Sequence, residues 1–156
     1  LRIRIAAIGR LKAGPELNLV ADYRDRITLA GKQLGLGPLD IIEAEAPRAG
    51  DKSREAELLL KAAPEGARRI LLDERGDEWA SRALATKLAH WRDGGLPSVC
   101  FWIGGPDGVA PDLRQAAHDR LAFGPQTWPH KLVRVMLAEQ IYRAVTILSG
   151  NPYHRD

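Results

Sequence analysis

Apolar residues along this chain fall into two alternating rhythms. Ile3, Ile5 and Ile8 open it with the twofold period of a strand, and Leu17, Val20 and Ile27 then recur at near-helical spacing between Pro15 and Gly31. Pro15 suits the first helical position, where its missing N–H leaves no hydrogen bond unmade. Leu39 to Ala44 reads as a second strand, and the charged, leucine-rich stretch from Asp51 to Ala63 as an exposed amphipathic helix closed by Pro64. Arg69 to Asp73 is a buried strand by composition; Leu84, Leu88 and Trp91 then share a helical face that ends at Gly94 and Gly95. Val99 to Ile103 is apolar without interruption, as a strand covered on both faces is. A short helix from Pro111, a short strand from Leu121 to Phe123 and a long helix from about Lys131 to Leu148 complete the series.

This alternation predicts the α/β class: one domain over residues 1–156, with a parallel sheet and helices on both faces. In such sheets ligands bind beyond the carboxyl ends of the strands. The loops after Asp73, Ile103 and Phe123 are therefore the first places to look for a site.

Composition narrows the classes. A chain of 156 residues with 45% hydrophobic and 28% charged residues is expected to bury a core, not to be disordered. No apolar run approaches the ~18 residues of a membrane helix, and the opening Leu-Arg-Ile-Arg-Ile is unlike a signal peptide, so a cytoplasmic protein without a membrane partner is expected. Cys100 is the only cysteine, which excludes an internal disulfide and leaves a cysteine zinc site without ligands; no metal is expected. The net charge of +3 permits an anionic partner such as RNA without demanding one.

Gly104, Gly105 and Gly108 directly follow the most apolar strand. Glycines there let backbone approach a ligand, or simply make a tight turn. Their spacing is neither G-x-G-x-x-G nor a phosphate-binding G-K-[ST] loop, which points away from dinucleotides and nucleoside triphosphates. A ligand without phosphates, carrying an adenine, would want apolar walls; Leu72, Phe123 and Trp128 can supply them or can be plain core residues.

The last helix is apolar almost all round, broken by Arg134, Glu139, Gln140, Arg143 and Thr146. One face is expected on the sheet and the other against a second copy of the chain, with Glu139 and Arg143 paired four residues apart. The tail places Tyr153, His154 and Arg155 together: groups able to stack on a base, move a proton and hold an anion, or a solvated end. His130, at the start of the helix, is a further proton-transfer candidate or a cap.

Ile103-Gly-Gly-Pro-Asp-Gly108, Trp128-Pro-His130, Leu132-Val-Arg134-Val, Ala138-Glu-Gln-Ile-Tyr-Arg-Ala144 and the terminal Asn151-Pro-Tyr-His-Arg155 together resemble the RlmH family of SPOUT-class methyltransferases, essentially from end to end. The resemblance implies a C-terminal trefoil knot, S-adenosyl-L-methionine as cofactor, a homodimer, and methylation of N3 of a pseudouridine in large-subunit ribosomal RNA on the assembled ribosome. It places cofactor contacts at Leu72, Gly104, Gly105 and the segment Phe123, Gly124, Pro125, Gln126, Thr127 and Trp128. Gly124-Pro125-Gln126 departs locally from the family pattern, which matters only if side chains make the contacts there. Leu1 stands where an initiating methionine is expected, which implies an alternative start or a processed or incomplete N-terminus.

An imide nitrogen becomes nucleophilic only when its proton leaves. The expected catalytic set is therefore His154 or His130 as proton acceptor, Arg155 or Arg134 beside the developing anion, and Tyr153 positioning the base. The competing expectations are a SPOUT enzyme acting on another RNA, such as transfer RNA, and a dimeric RNA-binding module without catalysis.

Overall fold

The computed structural model describes every residue from Leu1 to Asp156. Strands β1 (Arg2–Ile8), β2 (Leu39–Ala44), β3 (Arg68–Glu78), β4 (Ser98–Ile103) and β5 (Asp119–Ala122) form one sheet in the order β2-β1-β4-β3-β5, every pair parallel. The helices are α1 (Pro15–Gly31), α2 (Lys52–Ala62), α3 (Ser81–Asp93), α4 (Pro111–Ala116) and α5 (His130–Ser149), with a 3-10 turn at Lys32–Leu34 after α1.

All of β4 is buried, so side chains on both of its faces need cover. Val99, Phe101 and Ile103 join Ile3 and Ile5 of β1 in a core closed by α1, α3 and α5. Cys100 and Trp102 join Ala6 and Ile8 in a second core closed by α2 and α4. The twofold strand period thus sorts successive residues into two apolar layers. Cys100 is buried, and loss of solvent pushes its thiol up to about 12, as an inert core cysteine requires.

The elements follow the apolar pattern, with two differences. The β3 strand continues to Glu78, past the loop expected after Asp73. Its pairing with β5 runs to Leu72 opposite Leu121 and resumes at Asp77 opposite the same leucine, so the residues between bulge out of register. Gly76 ends that bulge, where a Cβ would lie 2.6 Å from the Arg120 carbonyl carbon. β5 begins at Asp119, earlier than its apolar residues indicate. His118 donates its backbone N–H to the Arg69 carbonyl at 2.8 Å and accepts the Arg69 N–H on Nδ1 at 2.9 Å, while Arg68 holds Asp119 at 2.7 Å.

The last helix, α5, packs on the sheet with α1 on one side and α3 on the other, and Val135, Leu137, Ala138, Ile141, Ala144 and Val145 are buried within a single chain. The helices α1 and α3 thus cover its flanks, while Leu132, Val133, Met136, Tyr142 and Leu148 keep an exposed or half-buried apolar face. No helix is long and apolar enough to cross a membrane.

The bulge can be tested directly. Gly76→Ala should destabilise the protein by about 2 kcal/mol through overpacking against the β5 backbone, read from urea unfolding midpoints. A change within a few tenths of a kcal/mol would show that the bulge is not tightly packed.

Candidate functional site

A cavity of about 740 Å³ lies beyond the carboxyl ends of β3, β4 and β5. Its apolar walls are Leu72, Ile103, Leu121, Phe123, Trp128 and Val133. The glycine loop forms another side. A Cβ on Gly104 would run into the Val109 side chain, and one on Gly105 would lie 2.9 Å from Glu55 Oε1, so the loop packs too closely for larger residues. The segment from Phe123 closes on itself: Trp128 Nε1 donates to the Phe123 carbonyl at 2.9 Å, and Gly124 takes a positive φ of 91° to make the turn.

Leu72, Gly104, Gly105, Phe123, Gly124, Gln126, Thr127 and Trp128 all line this cavity, whereas Pro125 does not. The structure adds Asp73, which nothing but its place at the end of an apolar run could have marked. Its side chain is 4% exposed, accepts the Arg75 N–H at 3.0 Å and lies 3.3 Å from Arg114 and 3.8 Å from Arg120. This carboxylate ties the bulge to α4 and β5, fixing three edges of the cavity at once.

His130 also lines the cavity. Its Nε2 lies 2.9 Å from the Ile8 carbonyl, an acceptor only, so this nitrogen carries the proton and donates, and Nδ1 is the ring's accepting atom. Arg134 behaves differently from the expectation. It is 1% exposed, pairs with Glu43 at 2.6 Å, donates to the Gly9 carbonyl at 3.1 Å and is not among the cavity walls. Burial pulls its pKa down and the Glu43 partner opposes that pull. Its guanidinium is therefore a tie between α5 and the ends of β1 and β2, not a group free to meet an anion.

The tail folds onto the second half of α5. Glu139 accepts from Arg143 at 2.6 Å, the pair expected at that spacing, and from the Tyr153 hydroxyl at 3.0 Å. Burial, then hydrogen bonding, pushes that hydroxyl's pKa up, so it stays protonated and donates. The Tyr153 ring stands edge-on to Tyr142 at 4.8 Å. Arginine only donates, so His154 Nδ1 accepts from Arg143 at 3.1 Å, and Nε2 faces Asp156 at 2.9 Å. Arg82 and His154 hold the Asp156 carboxyl down to about 2. Arg155 is exposed. Tyr153, His154 and Arg155 are not among the residues that line the cavity of their own chain. A second, more apolar groove borders it, lined by Leu19, Tyr23, Trp79, Phe123, Met136 and Glu139, and it shares Phe123 and Gly124 with the first cavity.

An open parallel sheet with a large cavity at adjacent strand ends is the build of an α/β enzyme that takes a small organic molecule. A family model described as "Predicted SPOUT methyltransferase" matches residues 1–154, and the chain belongs to that family. Similar proteins named ribosomal RNA large subunit methyltransferase H occur in Paracoccus denitrificans, 53% identical over 156 residues and covering 100% of both chains, and in Xanthobacter autotrophicus, 55% identical and covering 99% of each. A probable methyltransferase from Bordetella pertussis shares the fold, with a TM-score of 0.51 at 17% identity over 92% of this chain and 96% of the other.

If Arg134 is a structural tie, Arg134→Ala should destabilise the protein by about 3 kcal/mol in urea unfolding, because it empties a fully buried site and removes the cation partner of Glu43, and Arg134→Lys should recover part of the loss. Unchanged stability with lost activity would return Arg134 to the catalytic set.

Proposed function

We propose that the chain transfers a methyl group from S-adenosyl-L-methionine to N3 of a pseudouridine in large-subunit ribosomal RNA, as a cytoplasmic homodimer acting on the assembled ribosome. The observation that carries this reading is the cavity itself. It is roomy enough for a nucleoside-sized ligand, has apolar walls for an adenine, and is bounded by close-packed glycine backbone at positions 104 and 105. Its fit to this cofactor is chemical as well: it offers loop backbone and apolar side chains in place of a phosphate-binding signature. The relatives' shared name supports the ribosomal RNA target.

Bound there, the cofactor supplies a methyl group already activated on positively charged sulfur. The chain's own work is to hold the base and take its proton. His130 is the in-chain acceptor, with Nε2–H anchored on Ile8 and Nδ1 left to receive. The tail is poised for a different cavity. The apolar groove beside the site suits a second copy of this chain, which would bring Tyr153, His154 and Arg155 of one subunit toward the cavity of the other. In that arrangement Tyr153 positions the base and Arg155, the exposed cation of the tail, meets the developing anion. Threading of the C-terminal segment into a trefoil knot belongs to the same reading.

The test is transfer of labelled methyl from S-adenosyl-L-methionine to ribosomes, ribosomal RNA and transfer RNA from cells lacking the protein, with the modified nucleotide mapped. Label at N3 of a large-subunit pseudouridine is expected; label confined to transfer RNA would overturn the target. His130→Ala should lower kcat by roughly 10²-fold while cofactor affinity stays within about twofold. Equal losses in both would make His130 a binding or folding residue.

A further inference from the structure

One buried charged group at the site has no place in this reaction. Glu55, in the first turn of α2, is 7% exposed. It lies against the glycine loop, its two oxygens 2.9 and 3.1 Å from where a Gly105 Cβ would be. Gly105 is also a wall of the cavity, so its backbone is what separates the carboxylate from the ligand space. Burial, Asp107 and Asp51 all raise the pKa of Glu55, only Lys52 opposes them, and no hydrogen bond favours the charged form.

Local structure does not account for this carboxylate. Asp51 already caps α2, accepting the Arg54 N–H at 3.1 Å. Lys52, the one cation facing Glu55, is itself exposed at the cavity wall. A carboxylate held against the loop with part of its hydration lost and no hydrogen-bonded cation gains when a cation is brought close to it. The cavity is where one can arrive, and the partner this charge favours is a cation.

We propose that Glu55 is a specificity-determining residue: acting through the Gly105 backbone, its charge makes the cavity prefer the cationic methyl donor over the neutral thioether left after transfer. The proposal rests on S-adenosyl-L-methionine being the cofactor. In the transfer the sulfur–methyl bond breaks, its electron pair stays on sulfur, the methyl joins N3 as the N3 proton leaves to the acceptor, and sulfur loses its positive charge. Donor and product are otherwise alike, so a fixed negative charge nearby favours the donor and speeds release of the product.

Linkage gives the sign. Burial favours the protonated carboxyl in the free protein, and a bound cation favours the ionised form, so donor binding expels a proton and product binding does not. Donor affinity accordingly rises with pH through the Glu55 titration. The charged groups facing Glu55 are Asp51 and Lys52 at the start of α2 and Asp107 in the loop.

The experiment is calorimetric titration of the full-length protein with S-adenosyl-L-methionine and with S-adenosyl-homocysteine. Two buffers of different ionisation heat would be used, from about pH 5 to about pH 7, the range above an ordinary glutamate pKa. The wild type should release a fraction of a proton with the donor and none with the product. Glu55→Gln should abolish that release and shrink the donor-over-product preference by roughly tenfold. Equal weakening of both ligands, or an unchanged preference, would make Glu55 merely structural and overturn the proposal. Should the variant fail to fold, the proton count decides, taken on the wild type and on His130→Ala so that release from His130 is not mistaken for release from Glu55; loss of the release in His130→Ala would overturn the proposal. Failure of the wild type to bind the donor at all would overturn the cofactor reading, and this inference with it.

Discussion

Arg134 is almost completely buried, yet its guanidinium is held by Glu43 at 2.6 Å and by the backbone carbonyls at the end of β1. Glu43 Oε2 also accepts the Leu11 N–H at 2.8 Å, so one ion pair joins β1, β2 and α5. An unpaired buried charge is strongly unfavourable, which leaves α5 little freedom to slide or rotate at this point. One turn away, His130 adds a second tie to the Ile8 carbonyl. The first turns of α5 are therefore fixed against the sheet, and with them the cavity walls that His130 and Val133 provide.

The rest of the cavity is fixed by departures from regular structure. β3 leaves its register with β5 between Leu72 and Asp77, and Asp73 anchors the bulge through Arg75, Arg114 and Arg120. β4, buried along its whole length, delivers the chain into a loop whose Gly104 and Gly105 lie close against the Val109 and Glu55 side chains. Three rigid supports thus face one space, and rigid supports are what a small ligand needs to be held in one orientation. The tail, by contrast, is organised around Glu139 and Arg143 at the far half of α5.

The strands and helices were legible because their apolar periods differ, and β4 was the clearest since every residue in it is apolar or small. The extension of β3 was not, because Glu74, Arg75 and Gly76 bulge out of register and Asp77 and Glu78 pair only with the edge strand, so the stretch carries no apolar residue. Strand order was equally hidden, since it depends on contacts between distant segments. At the site, the glycine loop and the Phe123 to Trp128 segment were visible as motifs, and the cavity gathers them with the exception of Pro125. The partner of Arg134 was hidden too: a cation on an apolar helix suggests an anion ligand, and the carboxylate it pairs with lies far off in sequence on β2. Glu55 could not be told from its exposed neighbour Glu57, because burial within an amphipathic helix depends on which loop settles over it.

The central claim is that the methyl donor occupies the space framed by the ends of β3, β4 and β5 and the start of α5. Amide hydrogen exchange with and without S-adenosyl-L-methionine tests it most directly. The account predicts new protection confined to residues 72–76, 103–109 and 121–130, with α1 and the 3-10 turn after it unchanged. Protection centred on the apolar groove beside Leu19 and Met136, with the glycine loop unaffected, would contradict it.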